Sequence, residues 1–138
     1  FANPANDECN AAVPLDILPS LEPSSFTDGY TCGATQSGLA CGVIQPADVW
    51  YSFTTTAAQH ALYIEPSIAT SNMMYEVLSG ACGSLSSVIC NSFGNINEAE
   101  LITGLVPGTD YYVRVFTSLN SDPSAFRIGI TEGLVTAD

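Results

Sequence analysis

The sequence predicts an all-β protein, an antiparallel jelly-roll-like β-sandwich of about eight strands. Three observations support this fold class. Apolar and polar residues alternate in short runs, turn-forming residues separate those runs, and helical periodicity is nearly absent. The 138 residues suffice for one domain with a real core, so we expect a single domain over residues 1–138.

The clearest predicted strand covers residues 47–54. There Val49, Tyr51 and Phe53 share one face, and Trp50 points to the other. The other predicted strands are residues 11–17, 60–65, 73–78, 86–90, 98–105, 111–116 and 126–130. Turns are predicted at Asp28-Gly29, Ser79-Gly80, Cys82-Gly83, Val106-Pro107-Gly108 and Ser121-Asp122-Pro123. Residues 15–42, with several prolines, serines and glycines, are expected to form a long connection tied by a disulfide.

The charge balance excludes two classes of partner. The formal net charge is -12, and Arg114 and Arg127 are the only cations besides His60. Such a chain cannot build the basic surface that nucleic acid or an anionic membrane surface requires. No run of residues approaches the ~18 apolar positions of a membrane helix, so we also expect no membrane insertion.

Charged residues make up only 12% of the chain, against roughly 25% in a typical soluble domain. Two interpretations remain open. The neutral outer faces are hidden by copies of the same chain or by a polymer, or the chain is simply a secreted β-domain rich in hydroxyl residues. The chain starts at Phe1 without a methionine, which fits a processed secreted protein.

The five cysteines contain no CxxC pair and no familiar zinc spacing, which favours disulfides and an oxidising exterior. Cys82 and Cys90 bracket a short stretch that a hairpin or tight loop can bridge. A second bridge is expected between two of Cys9, Cys32 and Cys41, with the third left unpaired.

Several motifs resemble a known family of bacterial extracellular β-sandwich modules, the pre-peptidase C-terminal (PPC-like) domains. They are residues 6–9 (NDEC), 11–15 (AAVPL), 33–37 (GATQS), 48–54 (DVWYSFT), 78–85 (LSGACGSL), 88–91 (VICN) and 105–115 (LVPGTDYYVRV). The likeness extends from Asn6 to Ile130. It implies a jelly-roll-like sandwich that acts as a non-catalytic accessory, adhesive or ligand-binding module.

The same resemblance implies a place for calcium. Family members often carry an Asp before the strand that corresponds to residues 73–78, and Asp residues after the cysteine that corresponds to Cys90. The chain has Asn72 and Asn91 at the matching positions, and amides bind Ca²⁺ more weakly than carboxylates do. Asn95, Asn97 and Glu98 remain as possible oxygen ligands. We therefore expect either no cofactor or a weakly held Ca²⁺.

No enzyme is predicted. His60 is the only imidazole and is expected at the surface, and no GxSxG elbow or phosphate-binding glycine loop is present. Glu98 and Glu100 would lie on one face of a strand, but they are better explained as a charged edge that discourages strand addition.

Two functions follow from these observations. The first is an extracellular structural or adhesive subunit that assembles with its own copies into a filament or surface layer. Residues 1–6 and 133–138 would then pair with neighbouring sheets. The alternative is an accessory module that binds a neutral polysaccharide or a protein, with calcium as an option. The aromatic candidates for binding are Phe1, Trp50, Tyr75 and Tyr112.

Overall fold

The computed structural model describes residues 4–19, 25–35, 39–40, 43–44, 48–66, 73–92, 100–117 and 125–132. Its regular elements begin with a 3-10 turn at Cys9–Ala11. The strands are β1 Val13–Pro14, β2 Ile17–Leu18, β3 Thr27–Tyr30, β4 Leu39–Ala40, β5 Val43–Ile44, β6 Asp48–Thr54, β7 His60–Pro66, β8 Met73–Ser79, β9 Ser86–Ser92, β10 Glu100–Ile102, β11 Asp110–Thr117 and β12 Ala125–Thr131.

These strands form two main sheets that pack face to face. The first sheet has the order β1-β6-β11-β8-β9, and the second has the order β10-β7-β12-β2, with β3 also paired to β12. The short strands β4 and β5 pair with each other. The predicted all-β sandwich is therefore confirmed.

The core lies between the two sheets and is built from the inward-facing half of each alternating strand. From the first sheet, Tyr51 reaches the ring of Phe126 at 6.1 Å between centroids, and Phe53 stacks on Tyr111 at 5.8 Å. The second sheet contributes aliphatic residues of which Ile128 and Ile130 are fully buried. Aromatic and branched aliphatic side chains from both sheets thus fill the interior.

The long strands pair antiparallel, as predicted, but two short parallel pairings were not predicted. The predicted strand at 11–17 is divided into β1, which runs parallel to β6, and β2, which runs parallel to β12. The chain therefore passes from one sheet to the other near Leu15, whose side chain is buried in the core. β1 and β2 thus add a two-residue edge strand to each sheet, beside β6 and β12.

The predicted turn at Asp28-Gly29 is wrong, because both residues lie inside β3, paired to Arg127 and Phe126 of β12. The glycine is required by packing. A Cβ at Gly29 would overlap the hydroxyl of Tyr51 and the ring of Phe126. The Asp-Gly pair, which normally signals a turn, here leaves room for two core aromatic side chains.

The predicted disulfide between Cys82 and Cys90 is also wrong. Cys82 is bonded to Cys9, with 5.8 Å between the Cα atoms. The register of the β8–β9 hairpin explains the error: Ser79 faces Ser86, and Cys90 lies four residues further along, opposite Glu76. Four extended residues span about 13 Å, which exceeds the ~7 Å limit for a disulfide.

The second bridge expected between two of Cys9, Cys32 and Cys41 is wrong as well, because Cys9 is bonded to Cys82 and Cys32 is the unpaired member of the three. Cys90 is disulfide-bonded, Cys32 is a half-buried free thiol, and Cys41 lies outside the described residues.

The segment before the 3-10 turn lies along the side of β6 that β1 also covers. The Trp50 backbone N–H donates to the Asn6 carbonyl at 2.9 Å, and the Asn6 side chain donates to the Trp50 carbonyl at 2.8 Å. Asp7 accepts hydrogen bonds from the backbone and the hydroxyl of Thr35 at 2.7 and 2.8 Å. These contacts, together with the Cys9–Cys82 disulfide, tie this segment to the first sheet.

Candidate functional site

The outer face of the second sheet presents aromatic and charged side chains in three rows. Because Phe126, Ile128 and Ile130 of β12 point into the core, the residues between them point outward. The strand register then places their neighbours on β3 and β7 at either side. We call this surface the three-row face; it comprises Phe26, Tyr63, Gly129, Asp28, Arg127, Glu65, Tyr30 and Ala125.

The first row is aromatic. Gly129 lies opposite Tyr63 in the sheet, and the ring of Phe26 occupies the space where a Cβ of Gly129 would be. The Phe26 and Tyr63 rings lie 5.5 Å apart, tilted by 43°. A glycine in the middle strand thus lets one ring lie flat on the sheet and contact the other.

The second row is charged. Arg127 lies between Glu65 on β7 and Asp28 on β3, directly opposite each in the register. Its Nε donates to the Glu65 Oε1 at 2.9 Å, and its Nη2 donates to the same oxygen. The Arg127 and Glu65 side chains are 40% and 36% exposed, so both are accessible from solvent.

The third row leaves a hollow. Ala125 lies opposite Tyr30, which is 43% exposed. The small side chain of Ala125 forms the floor of a depression of about 260 Å³ that Arg127, Pro66 and the edge of Phe126 also line. The three rows span roughly 14 Å along the strands, since alternate residues are about 7 Å apart.

The rows are also linked electrostatically. Burial raises the pKa of Tyr63, the nearby Glu65 carboxylate raises it further, and Arg127 lowers it. The phenol, the carboxylate and the guanidinium therefore lie close enough to act on one ligand together. Since Asp28 and Glu65 outnumber Arg127, the face carries no excess positive charge for binding an anion.

The outer face of the first sheet carries a buried cluster of charged side chains. Arg114 Nε lies 2.8 Å from Asp48 Oδ2, Arg114 Nη1 lies 3.2 Å from Glu76 Oε1, and the three side chains are at most 5% exposed. The Arg114 guanidinium lies 4.6 Å from the centre of the Trp50 ring. Asp48 therefore forms a buried ion pair with an arginine.

The predicted binding aromatics are not gathered at one site. Trp50 is 3% exposed and meets the half-exposed Tyr112 edge-on at 6.4 Å. Tyr75 lies in the core at 1% exposure and donates a hydrogen bond to Glu100 at 3.2 Å. Phe1 lies outside the described residues.

The calcium prediction falls almost entirely on residues that the structure does not describe: Asn72, Asn95, Asn97 and Glu98. Asn91 lies in β9. Within the described ranges, no three His, Cys, Asp or Glu residues come together as a metal site. Of residues 1–6 and 133–138, proposed as contacts between subunits, residues 1–3 and 133–138 lie outside those ranges, so that hypothesis stays a prediction.

The prediction that His60 lies at the surface is wrong, because its side chain is fully buried. The Thr56 N–H donates to its Nε2 at 3.2 Å, so Nε2 is the acceptor and Nδ1 carries the proton, which it donates to the Thr131 carbonyl at 2.7 Å. The ring also meets Phe53 edge-on at 6.1 Å. Both ring nitrogens are used to join β7 to neighbouring backbone, which is a structural role.

Sequence reasoning missed Phe26 and Tyr30, because both lie in the segment predicted to be an irregular connection. A signal was present: Phe26, Asp28 and Tyr30 alternate with Thr27 and Gly29, as in a half-buried strand. Because an Asp-Gly pair normally indicates a turn, the alternation was not interpreted as a strand. The outward direction of Arg127, by contrast, followed directly from the predicted strand at 126–130.

Comparison with known proteins assigns the sandwich to a family. A family model described as galactose binding domain-like, and associated with the type IX secretion system, matches residues 5–128. The chain belongs to this family. A comparison with curated proteins finds no match.

Membership of the galactose-binding-domain-like family supports a secreted β-sandwich, as the PPC-like resemblance implied, but not the PPC-like domains specifically. The family consists of non-catalytic modules, and its association with type IX secretion indicates a secreted or cell-surface accessory module. In the described part of the chain, no helix is long and apolar enough to cross a membrane.

Proposed function

We propose that this chain is a non-catalytic binding module of a secreted protein, and that its three-row face binds a neutral polysaccharide. The observation that carries the proposal is the arrangement of the face itself. The half-buried rings of Phe26 and Tyr63 on one side and the exposed Tyr30 on the other flank a partly exposed arginine and two carboxylates on one sheet face. The galactose-binding-domain-like family adds that the fold is one of binding modules.

Each row supplies a different kind of contact to a sugar chain. The rings of Phe26, Tyr63 and Tyr30 offer apolar surfaces to the C–H faces of sugar rings. Between them, the guanidinium donates hydrogen bonds to hydroxyl groups and the carboxylates accept them. The hollow above Ala125 provides a place for one sugar unit to sit deeper than its neighbours.

The charge of the molecule selects against acidic polymers. With a net charge of -12, the chain repels sulfated and uronic polysaccharides at long range. Arg127, the only cation on the face, is already paired with Glu65. A ligand without charge avoids both penalties, because it is not repelled by the net charge and does not need Arg127 to leave Glu65.

The test is affinity electrophoresis of the full chain through gels that contain neutral polysaccharides, including a galactan, or the uronic polymer alginate. We expect at least one neutral polysaccharide to retard the chain and alginate to have no effect. Tyr63→Ala and Tyr30→Ala should each weaken retardation by about tenfold or more, as expected for removal of a central aromatic contact.

The matched control is Tyr112→Ala, which removes a half-exposed tyrosine from the other sheet and should leave retardation unchanged. Thermal unfolding of each variant confirms that the fold is kept. The proposal is wrong if no neutral polysaccharide retards the chain, or if Tyr112→Ala weakens binding as much as Tyr63→Ala does.

A further inference from the structure

A second recess lies on the outer face of the first sheet and is independent of the three-row face. It has a volume of about 300 Å³. Trp50 and Arg114 line it from the sheet, Glu8 and Cys9 from the N-terminal segment, and Leu78, Gly83 and Leu85 from β8 and the β8–β9 turn. We call it the Trp50 pocket. The Cys9–Cys82 disulfide joins its two walls.

The electrostatics of the Trp50 pocket favour a cation. Arg114, its only lining cation, is shared by Asp48 and Glu76, so these three buried groups together carry an excess negative charge. Glu8 adds a carboxylate at the wall, where the hydroxyl of Thr35 donates to it at 3.3 Å. An anion would meet these carboxylates in a molecule of net charge -12.

The shape and the lining favour a long side chain with an apolar stem. Leu78, Leu85 and the Trp50 ring form apolar walls, and the volume of about 300 Å³ is at the lower end of ligand pockets. That space suits one amino-acid side chain better than an oligosaccharide.

We propose that the Trp50 pocket binds a lysine side chain of a partner protein. The methylene stem lies between Leu78, Leu85 and the indole, and the ammonium faces Glu8. A compact ammonium suits the site better than a guanidinium, because Arg114 already stacks on Trp50. These 138 residues contain no lysine, so the same stretch of a second copy does not supply this group.

Trp50 is the only tryptophan in the chain, so its fluorescence and its indole N–H resonance report on this pocket alone. The full chain is titrated with Nα-acetyl-lysine-methylamide and, as a matched uncharged probe, Nα-acetyl-norleucine-methylamide. We expect a saturable change in both Trp50 signals with the lysine derivative, weaker at higher salt, and none with the norleucine derivative.

Glu8→Gln should weaken binding of the lysine derivative by about threefold to tenfold, corresponding to the ~0.6–1.4 kcal/mol of a partly exposed ion pair. Asp16→Asn, which neutralises another exposed acid, should have no effect. The proposal is overturned if the lysine derivative gives no saturable change, if norleucine gives an equal one, or if Glu8→Gln binds like the wild type. Tyr63→Ala should not alter these signals, so the result is independent of polysaccharide binding.

Discussion

At the scale of single residues, the two arginines show that the same kind of ion pair has different roles in buried and in exposed surroundings. Each lies on the outer face of a sheet beside carboxylates of neighbouring strands. Arg114 and its partners are almost completely buried, whereas Arg127 and Glu65 are more than one-third exposed. Burial therefore makes the first cluster a structural element, and exposure leaves the second available to a ligand.

This difference predicts unequal costs for the same substitution. Arg114→Met leaves two carboxylates buried without their cation and should lower the free energy of unfolding by about 3–5 kcal/mol. Arg127→Met, the matched variant, breaks an exposed pair and should cost less than about 1 kcal/mol. Urea unfolding at neutral pH measures both values. Equal costs would contradict the assignment of one cluster to structure and the other to binding.

A core tyrosine gives a prediction at alkaline pH. Burial raises the pKa of Tyr51 from 10.0 to about 12. Below pH 10 the phenol is protonated in both the folded and the unfolded chain, so it adds no pH dependence. Between pH 10 and about 12 the unfolded chain loses this proton and the folded chain keeps it, so the free energy of unfolding falls as the pH rises.

The full loss from Tyr51 amounts to ~3 kcal/mol. Tyr51→Phe should remove most of the decline in stability between pH 10 and 12, whereas Tyr63→Phe should remove less because Tyr63 is only half-buried. The measurement is chemical unfolding of the three chains across this pH range. An unchanged decline in Tyr51→Phe would show that its phenol does not titrate as described.

At the scale of elements, alternation in the sequence predicted the long strands but not the short ones or the disulfide. Strands such as β6 and β11 bury one face, and that requirement is visible in residues two apart. Which face of β3 points into the core depends on Gly29, which leaves room for the Tyr51 side chain. These two residues are distant in sequence. The partner of Cys82 depends on the path of the N-terminal segment across the first sheet, and nothing local to Cys82 encodes that path.

The same limit applies to the candidate site. Arg127 and Tyr63 were identifiable as outward-facing, because each alternates with core residues of its own strand. Their meeting with Phe26, Asp28 and Tyr30 depends on the register between three strands. Local alternation therefore predicts which way a side chain points, while the composition of a surface requires the pairing of the strands.

The Cys9–Cys82 disulfide gives a prediction for the N-terminal segment. It closes a sequence separation of 73 residues, and a loop of that length stabilises a fold by about 4 kcal/mol in the chain-entropy model. The double variant Cys9→Ser with Cys82→Ser should lose stability of that order in thermal or urea unfolding. Cys32→Ser, which removes a free thiol, is the control and should change stability by less than about 1 kcal/mol.

At the scale of the whole molecule, the dominant property is the net charge of -12. Self-repulsion among these charges opposes the compact state, and salt screens it over a Debye length that falls from about 30 Å at 0.01 M to about 8 Å at 0.15 M. The melting temperature should therefore rise between these salt concentrations. A fall would show that attractive pairs, and not the net charge, dominate the electrostatics of the fold.

The central claim is that the three-row face binds a neutral polysaccharide, and chemical-shift mapping tests it most directly. The ¹⁵N-labelled chain is titrated with an oligosaccharide from a neutral polysaccharide that retards it in electrophoresis. The predicted shifts cluster in residues 26–30, 63–66 and 125–129, with the Trp50 indole unchanged. Shifts centred on the first sheet, with none on these three segments, would contradict the account.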